Sequence, residues 1–253
     1  MPLWHVQKEK RVMKVKLTGK NLEEIRSLLP AYGLEECEEG FELMICHGGD
    51  GALLGAEREY PGVPKFPIRD YATAPTCPLH GIGERLERFA SGQLPVTELP
   101  KLSGIWRDKT VYGINDVFLH NKICCGALRF KVTIDGELYA PAVLGDGVGV
   151  STVHGSTAYY RSITRSIFRT GIGLAFSNAT ADISHLVLDE KSTVTVKILR
   201  GPGLLIADNS PVTGIPEGET ITFALSQEKA KIIGLEEFMC PECRRIRHFR
   251  GNC

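Results

Sequence analysis

The sequence predicts an α/β domain with a parallel sheet, followed by a β-rich domain. Residues 1–60 contain, in order, the signals of a strand, a helix, a strand, a glycine turn and a helix. Such alternation is typical of a parallel sheet covered by helices. After residue 105 the chain consists mainly of short segments with strand-like patterns. The length of 253 residues suffices for two modest domains.

The domain boundaries are placed where this character changes. The α/β domain with its Gly-Gly-Asp-Gly loop is predicted over residues 1–104, and the β-rich domain over 105–235. A Cys- and Arg-rich tail follows over 236–253. One interpretation of this tail is an arm that packs back on the first domain.

The first two elements have clear local signals. Residues 11–19 alternate and predict a strand. Residues 20–33 predict a helix, and its apolar stripe consists of Leu22, Ile25, Leu28 and Leu29. Asn21 with Glu24 predicts an N-terminal capping pair, and Gly33 predicts the end of the helix.

The rest of the first domain alternates between regular and irregular segments. The apolar run 41–46 predicts a strand buried on both faces, and residues 51–59 predict the helix after the glycine turn. Residues 60–78 contain five prolines and are expected to be mostly irregular. A short amphipathic helix is predicted over 83–92, and residues 92–104 are expected to cross between the domains.

The second domain is predicted from its strand-like segments. These segments cover residues 110–121, 127–134, 137–144, 148–152, 192–199, 203–208 and 219–225. Asp135-Gly136 predicts a hairpin turn between two of them. Residues 156–168 predict one helix embedded in this domain.

Composition excludes several classes of protein. Thirty basic and thirty acidic residues give a formal net charge of zero, which argues against a nucleic-acid-binding protein. No apolar run is long enough for a membrane span, and the N-terminal residues do not resemble a secretory signal. The eight cysteines are therefore expected to be reduced thiols of a cytoplasmic protein.

The most informative loop is Gly48-Gly49-Asp50-Gly51, between the second strand and the next helix. One interpretation is a tight turn in which Asp50 caps the helix. A dinucleotide-binding fingerprint is disfavoured, because the spacing of Gly49, Gly51 and Gly55 is wrong and Asp50 would repel a pyrophosphate. A third interpretation is that glycine amides hold phosphate oxygens while Asp50 accepts a proton from an attacking hydroxyl.

Three segments after residue 105 favour the third interpretation. The first contains Asn115-Asp116, and the third is a hairpin over 200–212. The second carries the ordered residues Asp146, Gly147, Ser151, Thr152, Gly155, Ser156, Thr157, Ala158, Tyr159 and Ser162. In this order and spacing, the glycine loop and the three segments resemble the NAD kinase family. The resemblance covers roughly residues 11–235 and is dense only over 105–170.

The resemblance implies a fold, a reaction and partners. The fold is an α/β domain followed by a β-sandwich-like domain. The reaction is transfer of a phosphoryl group from ATP, or from another donor such as polyphosphate, to the 2′-hydroxyl of the adenosine ribose of NAD, with Mg²⁺ or another divalent cation. The partners are NAD and ATP, and the chain is expected to form a homo-oligomer and to bind no membrane.

The resemblance also implies roles for individual residues. Asp50 is the expected catalytic base, and Gly48, Gly49 and Gly51 form the expected phosphate loop. The residues expected to bind NAD are Asp50, Gly51, Asn115, Asp116, Asp146, Thr157, Ala158, Tyr159 and Ser162.

Some positions depart from the family pattern. Ala52 stands where a threonine is usual, Leu144 replaces a basic residue, and Val153-His154 replaces a Pro-Thr pair. In residues 66–75 the usual adenine-contacting aromatic has no clear counterpart, with Phe66 and Tyr71 as candidates. The choice between NAD and NADH and the phosphoryl donor therefore stay open.

The tail carries a second motif. Cys240, Cys243, His248 and Cys253 have the spacing of a Cys-Cys-His-Cys zinc knuckle. The alternative is an arm whose cysteines are simply reduced.

Two other functions remain alternatives. One is a related kinase of the same superfamily that acts on a lipid or a sugar. The other is a non-catalytic NAD-binding regulator. Asp50 weighs against the latter, because a loop that only binds has no need of a carboxylate among its glycines.

Overall fold

The computed structural model describes residues 12–123 and 125–250. The chain divides into two compact units, Met1–Thr97 with Lys231–Cys253 and Glu98–Ala230. The boundaries at 104 and 235 stay a prediction. No helix among the described residues is long and apolar enough to cross a membrane.

The described residues form strands and helices that are numbered here in chain order. The strands are β1 Met13–Gly19, β2 Leu34–Glu36, β3 Leu43–His47, β4 Lys65–Ile68, β5 Val96–Trp106, β6 Lys109–Gly113, β7 Asp116–Asn121, β8 Leu128–Ile134, β9 Glu137–Gly145, β10 Gly147–Ser151, β11 Ile172–Ser177, β12 Leu186–Leu188, β13 Val194–Arg200, β14 Gly203–Ala207, β15 Thr213–Ile215 and β16 Thr220–Ile233. The α-helices are α1 Glu23–Leu28, α2 Asp50–Glu59, α3 Ile82–Ala90, α4 Tyr159–Thr164, α5 Leu235–Phe238 and α6 Pro241–Arg250. Short 3₁₀ helices cover Leu29–Tyr32, Pro78–His80 and Gly155–Thr157.

The first unit contains a parallel sheet in the order β2-β1-β3-β4. The end of β16 joins it beside β4, where Ile232 is paired with Lys65. Its core consists of buried residues from the strands and helices, including Val15, Ile25, Ile45, Phe66 and Leu86. Strands buried on both faces read as apolar runs, and all five residues of β3 are buried.

The second unit contains two sheets that share one core. Four antiparallel strands run in the order β16-β13-β8-β9, with β5 and β6 attached through β16. The other sheet has the order β12-β11-β10-β7-β14-β15. Side chains of both sheets meet in one cluster, as Phe130 and Phe176 do with ring centroids 6.3 Å apart. This α/β plus β-rich architecture confirms the predicted fold class.

Turn chemistry was predicted correctly at two places. Gly33 has a φ of 69° and ends the 3₁₀ turn that follows α1. Asp135 and Gly136 have φ values of 51° and 85°, and they connect β8 to β9. Positive φ at both central residues is what a type I′ hairpin requires, which explains the Asp-Gly pair.

Two local expectations were wrong, namely the cap at Asn21 and the extent of the helix over 156–168. Asn21 does not cap α1: its φ is 51°, and its amide donates to Asp70 at 2.9 Å. Residues 60–78 are mostly irregular, as expected, but they contain the buried strand β4. Residues 92–104 include the passage from the first unit to the second at residues 97 and 98, and most of them form β5. The helix expected over 156–168 is a 3₁₀ turn followed by the six-residue α4. Pro67 and Pro100 lie within β4 and β5, so these prolines did not exclude strands from the two segments.

Candidate active site

The glycine loop joins β3 to α2 in the first unit. Gly48 has a φ of 149°, which favours glycine, and its N–H donates to the carbonyl of Ile68 at 2.9 Å. Gly49 is the N-cap of α2 and makes no side-chain cap. Asp50 is the first residue of the helix and Gly51 the second, so Asp50 does not occupy the capping position. The loop places glycine backbone and one carboxylate at the start of a ten-residue helix.

Arg69 lies against this loop. It follows β4, and its Nη2 donates to Oδ1 of Asp50 at 3.0 Å. The arginine side chain is 9% exposed, whereas that of Asp50 is 57% exposed. Neighbouring parallel strands end at the same edge of a sheet, so the residues after β3 and β4 come together. The site therefore combines a cation held in place with an accessible carboxylate.

The guanidinium of Arg69 is held from its other side by the chain after β16. Its Cζ lies 3.7 Å from the centroid of the Phe238 ring, and its Nε donates to the Phe238 carbonyl at 3.3 Å. The sulfur of Met239 is 3.9 Å from Nη2. A planar guanidinium stacked on an aromatic ring loses little freedom when it binds an anion.

Asp70 anchors the turn that follows Arg69. Its buried carboxylate accepts hydrogen bonds from Asn21, from the N–H of Ala72 and from Thr73. Burial raises the pKa of Asp70, but these hydrogen bonds outweigh it and hold the pKa below its usual value. Asp70 is thus an ionised structural residue that fixes the backbone next to Arg69.

In the second unit, Asn115 and Asp116 begin β7 and are held by Asp208. The Asp208 carboxylate accepts hydrogen bonds from the N–H groups of Ile114, Asn115 and Asp116, at 2.7, 2.8 and 3.1 Å. Burial, followed by the negative charge of Asp208, raises the pKa of Asp116 to about 7. Burial also raises the pKa of Asp208, against the effect of the three N–H donors. The pair concentrates titratable charge at this strand start.

The Ser-Thr segment packs on the same strand start. Ser151 of β10 is paired with Asp116 of β7. Thr152 donates to the carbonyl of Asn115 through its N–H at 2.9 Å, and to that of Ile114 through its hydroxyl at 2.7 Å. A side chain at Gly155 would collide with the carbonyl oxygen of Asn115. Two motifs separated in the sequence thus form one compact structure.

The start of α4 lines a cavity in the second unit, and Asp146 is hydrogen-bonded to another residue of the cavity wall. Asn178 donates to Asp146 at 2.7 Å and also lines a cavity of about 480 Å³. Tyr159 and Ser162 line this cavity too, together with Phe176, Ser177 and His185. The Tyr159 ring packs edge-on against Phe118, with centroids 4.8 Å apart.

The remaining expected residues are placed close to these groups. Thr157 lies in the 3₁₀ turn before α4, and Ala158 donates through its N–H to the Gly155 carbonyl at 2.8 Å. The binding roles of all these residues stay predictions. Of the two candidate aromatics, Phe66 is wrong, because it is fully buried and stacked on Phe89. Tyr71 is 57% exposed.

The cysteine motif of the tail is only partly within the described residues. Cys240 and Cys243 lie within 4.8 Å of Cys77 and His80, ligand atom to ligand atom. The side chain of His248 and the whole of Cys253 lie outside the described residues.

Sequence reasoning missed Arg69, Asp208, Cys77 and His80 as site residues. Arg69 was detectable as a charged residue directly after a buried apolar run, at the edge where parallel strands end. The segments Cys77–His80 and Cys240–Cys243 both begin with a Cys-Pro pair, and this repeated pattern was visible in the sequence. Asp208 ends an ordinary hairpin segment and gave no separate signal.

Comparison with known proteins identifies relatives along nearly the whole chain. The chain is 28% identical over 237 residues to an NAD kinase of Saccharolobus islandicus, and the match covers 87% of this chain and 93% of that protein. It is 24% identical over 229 residues to an NAD kinase of Thermoplasma volcanium, covering 87% and 84%. No family model matches the chain.

Solved structures with the same fold agree with these relatives. An NAD kinase from Archaeoglobus fulgidus in complex with ATP has a TM-score of 0.75 at 17% identity, covering 92% of this chain and 99% of that one. Yeast NADH kinase complexed with NADH has a TM-score of 0.73 at 17% identity, covering 90% and 84%. By sequence and fold taken together, the chain is similar to NAD kinases along nearly its whole length.

Proposed function

We propose that this protein transfers the γ-phosphoryl group of ATP to the 2′-hydroxyl of the adenosine ribose of NAD, producing NADP and ADP. The observation that carries the proposal is the exposed carboxylate of Asp50 at the start of α2, with Arg69 at 3.0 Å. A base and a cation side by side on a glycine loop are the groups that phosphoryl transfer to an alcohol requires.

Asp50 acts as the general base. Its carboxylate accepts the proton of the 2′-hydroxyl, and the ribose oxygen forms a bond to the γ-phosphorus. The bond from the γ-phosphorus to the bridging oxygen breaks, and ADP leaves with that electron pair. Such a positioned base contributes about 10²–10⁴ in rate.

The glycine loop and Arg69 hold the phosphates. Without a Cβ at Gly48 and Gly49, phosphate oxygens approach the backbone N–H groups closely, and the start of α2 adds positive potential. Arg69 supplies a charge-assisted donor from a fixed position. Because Asp50 already uses this donor, an incoming phosphate competes with the carboxylate and releases it for the hydroxyl.

We expect Mg²⁺ to bind at this site through the phosphate oxygens of ATP, which act as its ligands. Among the described residues, the one group of three or more His, Cys, Asp or Glu ligands is the Cys/His cluster, which does not include Asp50. Mg²⁺ commonly keeps several waters and binds through substrate phosphates, so it needs no protein cage here. When bound, it neutralises charge on the phosphates.

The second unit supplies the groups proposed for NAD. Asp116 is a buried acceptor suited to two vicinal ribose hydroxyls, and Asn115 adds an amide beside it. Tyr159 and Ser162 line the cavity of about 480 Å³, and Asp146 is joined to its wall through Asn178. We assign Asp146 to the nicotinamide half of the dinucleotide, as the resemblance implies.

The same proposal covers the setting of the reaction. We expect a homo-oligomer in the cytoplasm, where the cysteines stay reduced. The described cysteines, including Cys46 and Cys77, form no disulfide. ATP is the proposed donor.

A coupled assay tests the proposal. Purified protein is incubated with NAD⁺, ATP and MgCl₂, and NADP⁺ is read with an NADP-specific dehydrogenase. Asp50→Asn keeps the shape of the side chain and removes the base, so turnover is expected to fall by about 10²-fold or more while NAD binding persists. Asp108→Asn, in an exposed turn, is the matched control and keeps wild-type turnover.

Two results would contradict it. Near-normal turnover in Asp50→Asn would exclude Asp50 as the base. Tight NAD binding with no phosphate transfer from ATP or polyphosphate, to NAD⁺ or NADH, would favour a non-catalytic regulator.

A further inference from the structure

Two short segments of the first unit repeat one pattern and meet in space. They are Cys77-Pro78-Leu79-His80 and Cys240-Pro241-Glu242-Cys243. In both, proline is the first residue of a helical turn, and the second ligand follows within one turn. Proline is favoured at that position because its fixed φ suits a helix and its missing N–H is not needed. The pattern presents two side chains on the same side of each turn.

The four ligand atoms lie close enough to share one ion. His80 Nδ1 is 3.3 Å from the sulfur of Cys77 and 3.3 Å from that of Cys243. The two sulfurs are 3.5 Å apart, and all four ligand atoms, Cys240 included, lie within 4.8 Å of one another. Tetrahedral zinc with Zn–S of about 2.3 Å and Zn–N of about 2.0 Å places its ligand atoms roughly 3.5–3.8 Å apart.

The surroundings suit thiolate ligands. The N–H of Cys77 donates to the sulfur of Cys243 at 3.2 Å, and both residues are buried. Zinc with three thiolates and a neutral imidazole carries one net negative charge. The buried guanidinium of Arg85, which pairs with Glu237, adds positive charge to the surroundings of Cys243. A hydrogen bond to a ligand sulfur, such as the one from the N–H of Cys77, orients that ligand toward a metal ion.

We propose that Cys77, His80, Cys240 and Cys243 bind one structural Zn²⁺ ion. Four protein ligands leave no open position, as in structural zinc sites, and three sulfurs with one nitrogen select zinc over hard cations. This ligand set differs from the one read from the tail alone, because Cys77 and His80 replace His248 and Cys253. The ion ties the start of α6 to the 3₁₀ turn at Pro78–His80.

The site lies directly after the residues that hold Arg69. Phe238 and Met239 contact the guanidinium, and Cys240 is the next residue in the chain. The α5 helix, which ends at Phe238, is held by Glu237, which pairs with Arg85 and Arg88. A bound ion would therefore fix the chain on the other side of these two contacts.

Metal content of the full chain tests the proposal without any assay of phosphotransfer. Protein purified with zinc and a phosphine reductant is expected to retain about one zinc per chain after desalting. Cys77→Ser and Cys240→Ser are expected to lose stoichiometric zinc. Cys37→Ser and Cys253→Ser are matched controls and should retain it. Cobalt substituted for zinc should show intense thiolate charge-transfer absorption and the visible bands of a tetrahedral site.

Several outcomes would overturn the assignment. Wild-type protein without zinc, and without a cobalt–thiolate spectrum, would exclude the ion even if the serine variants failed to fold. Full zinc content in Cys77→Ser, together with loss of zinc in Cys253→Ser, would show that the ligands are those of the tail and not Cys77 and His80. A disulfide between Cys77 and Cys243, found by mass spectrometry of protein prepared without reductant and with zinc present, would also contradict it.

Discussion

Arg69 and Asp50 form an ion pair of 3.0 Å across the ends of two neighbouring parallel strands. The pair is asymmetric, because the arginine is 9% exposed and held by Phe238, whereas the carboxylate is 57% exposed. The arginine is therefore buried and held by its neighbours, whereas the carboxylate of Asp50 is accessible to a substrate. This arrangement suits a base that is released when a phosphate takes its place beside the cation.

Replacing Arg69 tests whether it binds the phosphoryl donor. Arg69→Ala removes a charge-assisted donor worth about 1.5–3 kcal/mol, so kcat/KM for ATP should fall about 10–100-fold. Arg69→Lys keeps the charge but loses the planar stacking on Phe238, and an intermediate loss is expected. Steady-state kinetics with ATP and NAD⁺ varied separately should show the larger change in KM for ATP.

Arg26→Ala serves as the control for removing a positive charge. Arg26 pairs with Glu36 on the surface, so its loss should leave the kinetics unchanged. Wild-type KM for ATP in Arg69→Ala, with an unchanged melting temperature, would remove Arg69 from the phosphate site.

The raised pKa of Asp116 predicts a pH dependence of stability. Its pKa is about 7 in the folded protein against an ordinary value of 3.8, so the folded state holds an extra proton between these two pH values. The free energy of unfolding should therefore fall as pH rises from about 4 to about 7, by at most about 1.4 kcal/mol per pH unit. Above that range Asp116 contributes no further change.

Urea denaturation of wild type and Asp116→Asn at a series of pH values measures this contribution. The difference in free energy of unfolding between the two proteins should change with pH over this range, because asparagine does not titrate. Asp108→Asn should keep the wild-type dependence. Parallel curves for wild type and Asp116→Asn across the range would show that Asp116 keeps an ordinary pKa.

Gly155 tests the close packing between the Ser-Thr segment and Asn115. Gly155→Ala places a Cβ against the carbonyl oxygen of Asn115, and such overpacking costs about 1–3 kcal/mol. We expect a lower melting temperature and weaker NAD binding, because the start of β7 must move. Gly214→Ala has open space at its Cβ and should change neither quantity. Equal melting temperatures for the two variants would contradict the packing argument.

The sequence predicted features that depend on local chemistry. Asp135-Gly136 has few alternatives to a type I′ turn, and the buried run of β3 has a strong apolar signal. Asn21 shows why the rest could not be read locally. The local sequence predicted that Asn21 caps α1, but its side chain instead donates a hydrogen bond to Asp70, which is 49 residues further along the chain. The candidate site was predicted from the order and spacing of four motifs, which resemble NAD kinases, and not from any one local pattern.

Contacts between distant residues account for what the sequence did not predict. Arg69 and Phe238 are 169 residues apart, and Cys77 and Cys243 are 166 apart, yet each pair meets in the first unit. They meet because β16 ends beside β4 in the parallel sheet. Reading the tail alone therefore placed zinc on nearby residues of the chain, whereas the described structure gathers Cys240 and Cys243 with Cys77 and His80.

Tyr159 tests whether the cavity of about 480 Å³ takes part in binding NAD. Its ring is 36% exposed and is held against Phe118, so it offers a flat and ordered surface to a planar group. Tyr159→Ala should weaken NAD binding by roughly threefold to tenfold, the value of one aromatic contact. Isothermal titration with NAD⁺ measures this change, and Tyr112→Ala, at another exposed tyrosine, should leave affinity unchanged. Unaltered affinity in a correctly folded Tyr159→Ala would place the dinucleotide elsewhere in the second unit, and Asp116 would then be the residue to test next.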